Sequence, residues 1–254
     1  FLGPRYFISL SIQEVRKYID WSFFFLAWEI RGKYPEIFKD PAAGTEAEKL
    51  FDDAGKVLDR IEKEGLLTLN AAAGFWPAAQ RGDSIILFEN EERNKEAAVL
   101  PCLRQQKEKV EIPYYLSLSD YLPPEESEIK DYLGFFAVTG GIGAADAVKK
   151  IAGEDDYLRI MVKTLSDRLA EALAEYLHLK VRTEYWPYAP DESLSVEEIL
   201  RVKYRGIRPA PGYQACPDHR EKELIFNLLE AEKNIGISLT DSRMMVPEAS
   251  VCGY

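Results

Sequence analysis

Apolar residues return every three to four positions in TEAEKLFDDAGKVLDRIEKEG, where Leu50, Phe51, Ala54, Val57, Leu58 and Ile61 form one stripe before Gly65 interrupts it. That period predicts an amphipathic helix, and Thr45 with Glu48 has the spacing of a capping box at its start. A second stripe, Met161, Leu165, Leu169, Leu173, Tyr176 and Leu177, lies in residues 155–182, which contain no Gly or Pro; it predicts the longest helix of the chain. Ser195 with Glu198, and Asp218 with Glu221, repeat the box spacing. They predict helices over SVEEILRVKY and over DHREKELIFNLLEAEKN, the second closed by Gly236. Shorter apolar runs predict strands at Ser84–Phe88 after a Gly-Asp turn, at residues 98–103, and at residues 134–139 before a glycine cluster. Strands and helices mix without a regular βαβα alternation, so the pattern predicts an α+β fold rather than a doubly wound sheet. There is no internal repeat or low-complexity linker, and LPPEESEIKD is the most loop-like stretch. The reading is one domain spanning residues 1–254.

Composition narrows the function classes. With 46% hydrophobic and 30% charged residues, the chain has the balance of a soluble globular protein. Its longest aromatic-rich run, WSFFFLAW, is too short to span a membrane. A formal net charge of −11 argues against nucleic acid or an anionic membrane as partner, because both require a positive footprint. Three widely spaced cysteines do not make a disulfide framework and fit a reducing cytoplasm. A chain opening on FLGPRYF, with no initiator methionine, reads as part of something longer.

Candidate chemistry concentrates in RPAPGYQACPDH, residues 208–219, between two predicted helices. A metal clip from Cys216 and His219 needs further ligands, and the only other histidine is His178. Cys216 with a sequence-adjacent histidine also lacks the distant partners of a cysteine nucleophile. The glycines of AVTGGIGAAD lack both the GxGxxG spacing and a Walker lysine, so they read as a strand-to-helix turn. In RPAPGY, Pro209 and Pro211 fix φ and push their predecessors into extended backbone, leaving the peptide groups of Ala210 and Gly212 free for other partners. Arg208 supplies a planar fork for a carboxylate and Tyr213 an aromatic face. By composition the segment reads equally as a rigid linker. Asp20, ahead of the apolar run that starts at Trp21, reads both as an N-cap and as a carboxylate suited to an amine or sulfonium.

Several motifs together resemble a known family. YIDW followed by a Phe pair and GKYP, LRQQ at residues 103–106, DYLGFFAVTGG, DRLAEALAEYLH and GIRPAPGYQACPDH resemble, in order and spacing, the activation (reactivation) domain of cobalamin-dependent methionine synthase. The resemblance covers nearly the whole chain. It implies a single C-shaped or helmet-like α+β domain with a central antiparallel sheet, not a Rossmann-type methyltransferase, which binds S-adenosylmethionine in a shallow groove. It also implies that the domain supplies the methyl group for reductive methylation of oxidised cobalamin.

By the same resemblance, Asp20 contacts the ligand amino group, Arg208 contacts its carboxylate, and backbone around Ala210 and Gly212 holds the adenosine end. Tyr213 faces the corrin on docking, Glu171 belongs to the groove, and Asp167 faces the cobalamin side. The implied partners are the cobalamin-binding domain or subunit of methionine synthase and flavodoxin or another reductase, to which the run Arg201, Lys203, Arg205 and Arg208 offers a basic patch. The domain would not make methionine alone. Transfer of a sulfonium methyl moves no proton, so the implied role needs no general base, nucleophile or metal and rests on positioning. The family continues past ASVCGY with a Tyr-Phe-Ser-containing segment that completes sheet and groove. A chain lacking that segment has the rival role of a non-catalytic docking module for a corrinoid protein or redox partner.

Overall fold

The computed structural model describes residues 1–107 and 114–254. It opens with β1 (Gly3–Leu10), the short helices α1 (Ile12–Val15) and α2 (Trp21–Ala27), and α3 (Gly44–Glu64). The strands β2 (Thr68–Arg81), β3 (Ser84–Phe88), β4 (Glu96–Pro101) and β5 (Asp131–Ile142) follow, then helices α4 (Ala144–Ile151) and α5 (Asp156–Lys180). The remainder holds α6 (Val196–Leu200), α7 (Glu221–Leu229), α8 (Ala231–Ile235), a ribbon of β6 (Ser238–Leu239) and β7 (Met245–Val246), and β8 (Ser250–Gly253).

Six strands form one sheet, five of them in the order β4-β3-β2-β5-β8 and β1 paired to β2 off that path, with every strand pair antiparallel. The long β2 organises it. One edge of β2 pairs with β1 through Leu69–Phe75 and with β3 through Ala78–Arg81, while its other edge pairs with β5 along most of its length. Both faces are covered. Alternate residues of the sheet divide between two cores: Leu69, Ala71, Ala73 and Val138 pack with α3, α4 and α5, whereas Ala72, Trp76, Ala78, Phe135 and Ala137 pack with α7 and α8. This agrees with the α+β expectation and with a sheet that is not doubly wound.

The helices follow their stripes more closely than their caps. α3 buries Leu50, Ala54, Val57, Leu58 and Ile61 and ends at Gly65 in the left-handed region, φ 59°. The expected Thr45–Glu48 capping box does not form, because the helix already begins at Gly44; the Asp40 carboxylate instead accepts from the amides of Ala42 and Ala43, both at 2.9 Å. α6 does carry its Ser195–Glu198 box. The Asp218–Glu221 box is absent: Arg220 stands at the N-cap without a side-chain bond, and the segment breaks at Glu230, φ 44°, into α7 and α8. The strand expected at residues 98–103 runs Glu96–Pro101, and the one expected at 134–139 is the core of β5.

α5 is the longest helix, with 25 residues, and ends two residues short of expectation in a π-helical turn, Val181–Tyr185. That turn carries Arg182 into the interior, where it is fully buried and ion-paired to Glu192, itself 6% exposed, at 2.6 Å. The glycine cluster is architectural. A Cβ on Gly140 would meet the Ser166 carbonyl at 2.8 Å and the Ala170 amide at 2.9 Å, so glycine there lets β5 lie directly against α5, and Gly143, φ 89°, makes the turn into α4. Among the described residues no helix is long and apolar enough to cross a membrane, and no group of His, Cys, Asp and Glu could hold a metal.

Candidate functional site

The segment RPAPGYQACPDH lies across the end of β8 and beside α5. Pro209 leaves its carbonyl to accept the Tyr254 amide at 3.1 Å, and the chain passes close enough that a Cβ on Gly253 would meet that carbonyl at 2.4 Å. The turn beyond is closed on itself: the Gly212 amide donates to the Cys216 carbonyl at 2.8 Å, the Cys216 amide to the Tyr213 carbonyl at 3.1 Å, and the Tyr213 amide to the Ala210 carbonyl at 3.3 Å. The Cys216 thiol adds a contact to that same Ala210 carbonyl at 3.0 Å. These bonds correct the expectation of free peptide groups. Of the two amides expected to be free, the Gly212 N–H is spent inside the turn, while the Ala210 N–H meets no acceptor among the described residues.

Gly212 has φ 103°, and the space its Cβ would need is filled by the His219 ring, 2.3 Å from the ideal Cβ position. The missing side chain therefore admits a histidine from the following segment, not an open approach for a ligand. Cys216 and His219 thus act as loop fasteners. Burial pushes the Cys216 thiol up to about 11, which does not fit a thiolate nucleophile at neutral pH.

Arg208 is the charged centre of the segment. Its side chain is 17% exposed, and Nη2 donates to Glu175 Oε1 at 2.6 Å. Nη1 donates to the Ala174 carbonyl at 3.3 Å and lies 3.5 Å from His178 Nδ1. Burial works against the Arg208 charge, but the Glu175 bond and charge, helped by Tyr204 and Glu171, outweigh it and raise the guanidinium further. His178 is held neutral, pushed down to about 3 by burial and by the Arg208 and Arg182 cations. Since arginine can only donate, His178 Nδ1 must accept, which leaves the proton on Nε2, directed at the Tyr188 hydroxyl 3.3 Å away. Tyr188 in turn donates to the Arg205 carbonyl at 3.2 Å, so the chain of bonds returns to the segment that carries Arg208.

A cavity of about 250 Å³ opens at this point. Its wall is mostly apolar, from β5 residues Tyr132 to Phe136 and Leu177, and Arg208, His178, Tyr188 and Tyr254 also line it. Tyr213, 72% exposed, stands outside it. On α5, Asp167, Glu171, Glu175 and His178 follow at intervals of four, four and three, which aligns them along one helical face ending at Arg208. Asp20 is not among the residues that line the cavity. It is the N-cap of α2, its Oδ1 accepting from the Ser22 amide at 2.9 Å, and no bond among the described residues joins it to Arg208 or the loop.

The residues that sequence reasoning passed over are Glu175, His178, Tyr188 and Tyr254. The first two were detectable as continuations of the Asp167–Glu171 stripe; Tyr188 and Tyr254 carried no local signal. The basic run is largely neutralised, with Arg201 paired to Glu197, Lys203 to Glu198 and Arg208 to Glu175.

Beneath the loop, the Tyr254 hydroxyl donates to Glu221 Oε2 at 3.1 Å. Burial pushes Glu221 up to about 7, against the Tyr254 bond and aided by the Asp218 charge. A carboxyl raised on folding contributes stability that is complete below its unfolded value, near 4.5, and is lost as pH rises through 7. Comparing urea unfolding at pH 5 and pH 8, Glu221→Gln is expected to remove about 1–2 kcal/mol of the wild-type decline, an amount already reduced for partial solvent access. An identical decline in both proteins would contradict the assignment.

Comparison with known proteins bears on this geometry. The family described as "Vitamin B12 dependent methionine synthase, activation domain" matches residues 11–254. A crystal structure of the MetH reactivation domain bound to AdoHcy is similar over 99% of this chain and 77% of that chain, at 48% identity and a TM-score of 0.95.

Proposed function

The chain belongs to the vitamin B12-dependent methionine synthase activation domains, and from that premise we propose that residues 1–254 act as one unit that binds S-adenosylmethionine and donates its methyl group to reactivate cobalamin. AdoHcy, bound by the similar MetH domain, is what remains of that donor after its methyl has left. Cobalamin is carried by another domain of methionine synthase.

The observation that carries the reading is Arg208 in the lining of the apolar cavity. Two edges of its fork are occupied by Ala174, His178 and Glu175, and among the described residues Nε–H donates to nothing. An amino-acid carboxylate suits that remaining edge, and an adenosyl group suits the apolar wall. In this reading the Ala210 amide meets the adenosine end, with Gly212 shaping the turn from within. Glu171, exposed one turn before Glu175, borders the groove, and Asp20 meets the ligand ammonium at the start of α2. Tyr213 and Asp167 face the cobalamin-carrying domain.

The donor supplies an electrophilic methyl on a sulfonium; the chain's residues hold it in line and exclude water, and no side chain needs to move a proton. The isolated chain would not make methionine by itself, and its electrons would come from flavodoxin or another reductase. A cytoplasmic setting is supported by three buried cysteines with free thiols. Titration calorimetry of the chain with S-adenosylmethionine is expected to give saturable binding to one site. No binding would reject the reading in favour of a docking module without a ligand groove.

A further inference from the structure

Among the described residues Glu175 is the acidic group paired to Arg208, and it is only half used. Oε1 takes the 2.6 Å bond from Nη2, while Oε2 is buried and accepts nothing among the described residues. The two side chains are 17% and 15% exposed, so little water screens them. With Nη1 committed to Ala174 and His178, the group left without an acceptor among the described residues is Nε–H, which shares its edge with Nη2, the nitrogen bonded to Glu175. A ligand carboxylate on that edge would share Nη2 with Glu175. It would meet a cation whose charge is already balanced, with a second negative charge a few ångströms away.

We propose that Glu175 is a positioning residue that acts through Arg208: it aims the free edge of the guanidinium at the ligand and, as a resident counter-charge, limits how strongly the site favours a ligand carboxylate. The inference rests on the reading that Arg208 receives that carboxylate. His178, a neutral acceptor with its second nitrogen fixed by Tyr188, adds aim without adding charge.

The test compares binding of S-adenosylmethionine with binding of its decarboxylated analogue, and the quantity read is the ratio of the two affinities. Glu175→Gln keeps an oxygen to accept from Nη2 but removes the charge. It is expected to raise the ratio at least tenfold, a floor set well below the roughly thousandfold effect of one unit charge at about 4 Å in an effective dielectric near 20. Glu175→Asp, which withdraws the charge by one methylene, is expected to raise it about twofold and serves if the first variant does not fold.

A merely structural Glu175 would weaken both ligands together and leave the ratio unchanged, which would overturn the inference. If Arg208→Ala itself leaves the wild-type ratio unchanged, the carboxylate reading of Arg208 is what fails. The two failures are therefore told apart by the Arg208 variant.

Discussion

Arg208→Ala is expected to weaken S-adenosylmethionine binding by about 100-fold, because two charge-assisted bonds to a carboxylate in a poorly hydrated site are lost together. The same substitution strands the Glu175 carboxylate, which already has one buried oxygen without a donor. Stability should therefore fall as well, by about 2–3 kcal/mol, toward the lower end for a broken pair that retains some solvent contact. Calorimetry well below the unfolding transition separates the two effects. Arg208→Lys should not restore binding, since an ammonium cannot hold Ala174, His178 and Glu175 on one side and offer a planar edge on the other. An Arg208→Ala protein that binds within about threefold of wild type would remove the central support for the proposed site.

The largest loss of stability is expected at Arg182. Its guanidinium is wholly buried, bonded through Nε and Nη2 to the Glu192 carboxylate at 2.7 and 2.6 Å, and stacked 4.0 Å from the Tyr204 ring centre. Nη1 finds no acceptor among the described residues. Removing one partner leaves an uncompensated charge in the interior, so Arg182→Met should cost about 3–5 kcal/mol in urea unfolding. The double variant Arg182→Met/Glu192→Leu should recover most of this, because replacing a whole buried pair with apolar groups of similar size is close to neutral. If the single and double variants are equally unstable, packing around Tyr204 outweighs the charge.

These two arginines also mark what the sequence could and could not tell. α3 and α5 were legible because each has one wet face, and a half-buried helix prints its period in the chain. β2 was not. Its AAAGFWPAA core is buried on both faces and shows no alternation of polar and apolar residues. β8 was missed because four residues carry too little pattern to separate strand from loop. The capping boxes at Thr45 and Asp218 had the right spacing but the wrong helix starts, since a cap depends on where the backbone turns.

In the site, the prolines and Arg208 stood out because proline constrains its own neighbours and arginine in such a frame is unusual. By sequence Cys216 and His219 raise the question of a metal clip or a nucleophile. Their part is to close the turn, and only the positive φ of Gly212 and the ring packed against it make that visible. Tyr188 and Tyr254 belong to the site through tertiary contact alone.

The bond from the Tyr254 amide to the Pro209 carbonyl, together with the pairing of Gly253 opposite Phe136, joins three stretches that lie far apart along the chain. Closing such spans costs little free energy, because loop entropy grows only logarithmically with length, but it slows folding. The cavity wall is thus no local nucleus; it comes into being when distant segments have already met. During refolding a ligand has nothing to grip until nearly all the work is done, so its stabilisation must act chiefly by holding the finished protein shut.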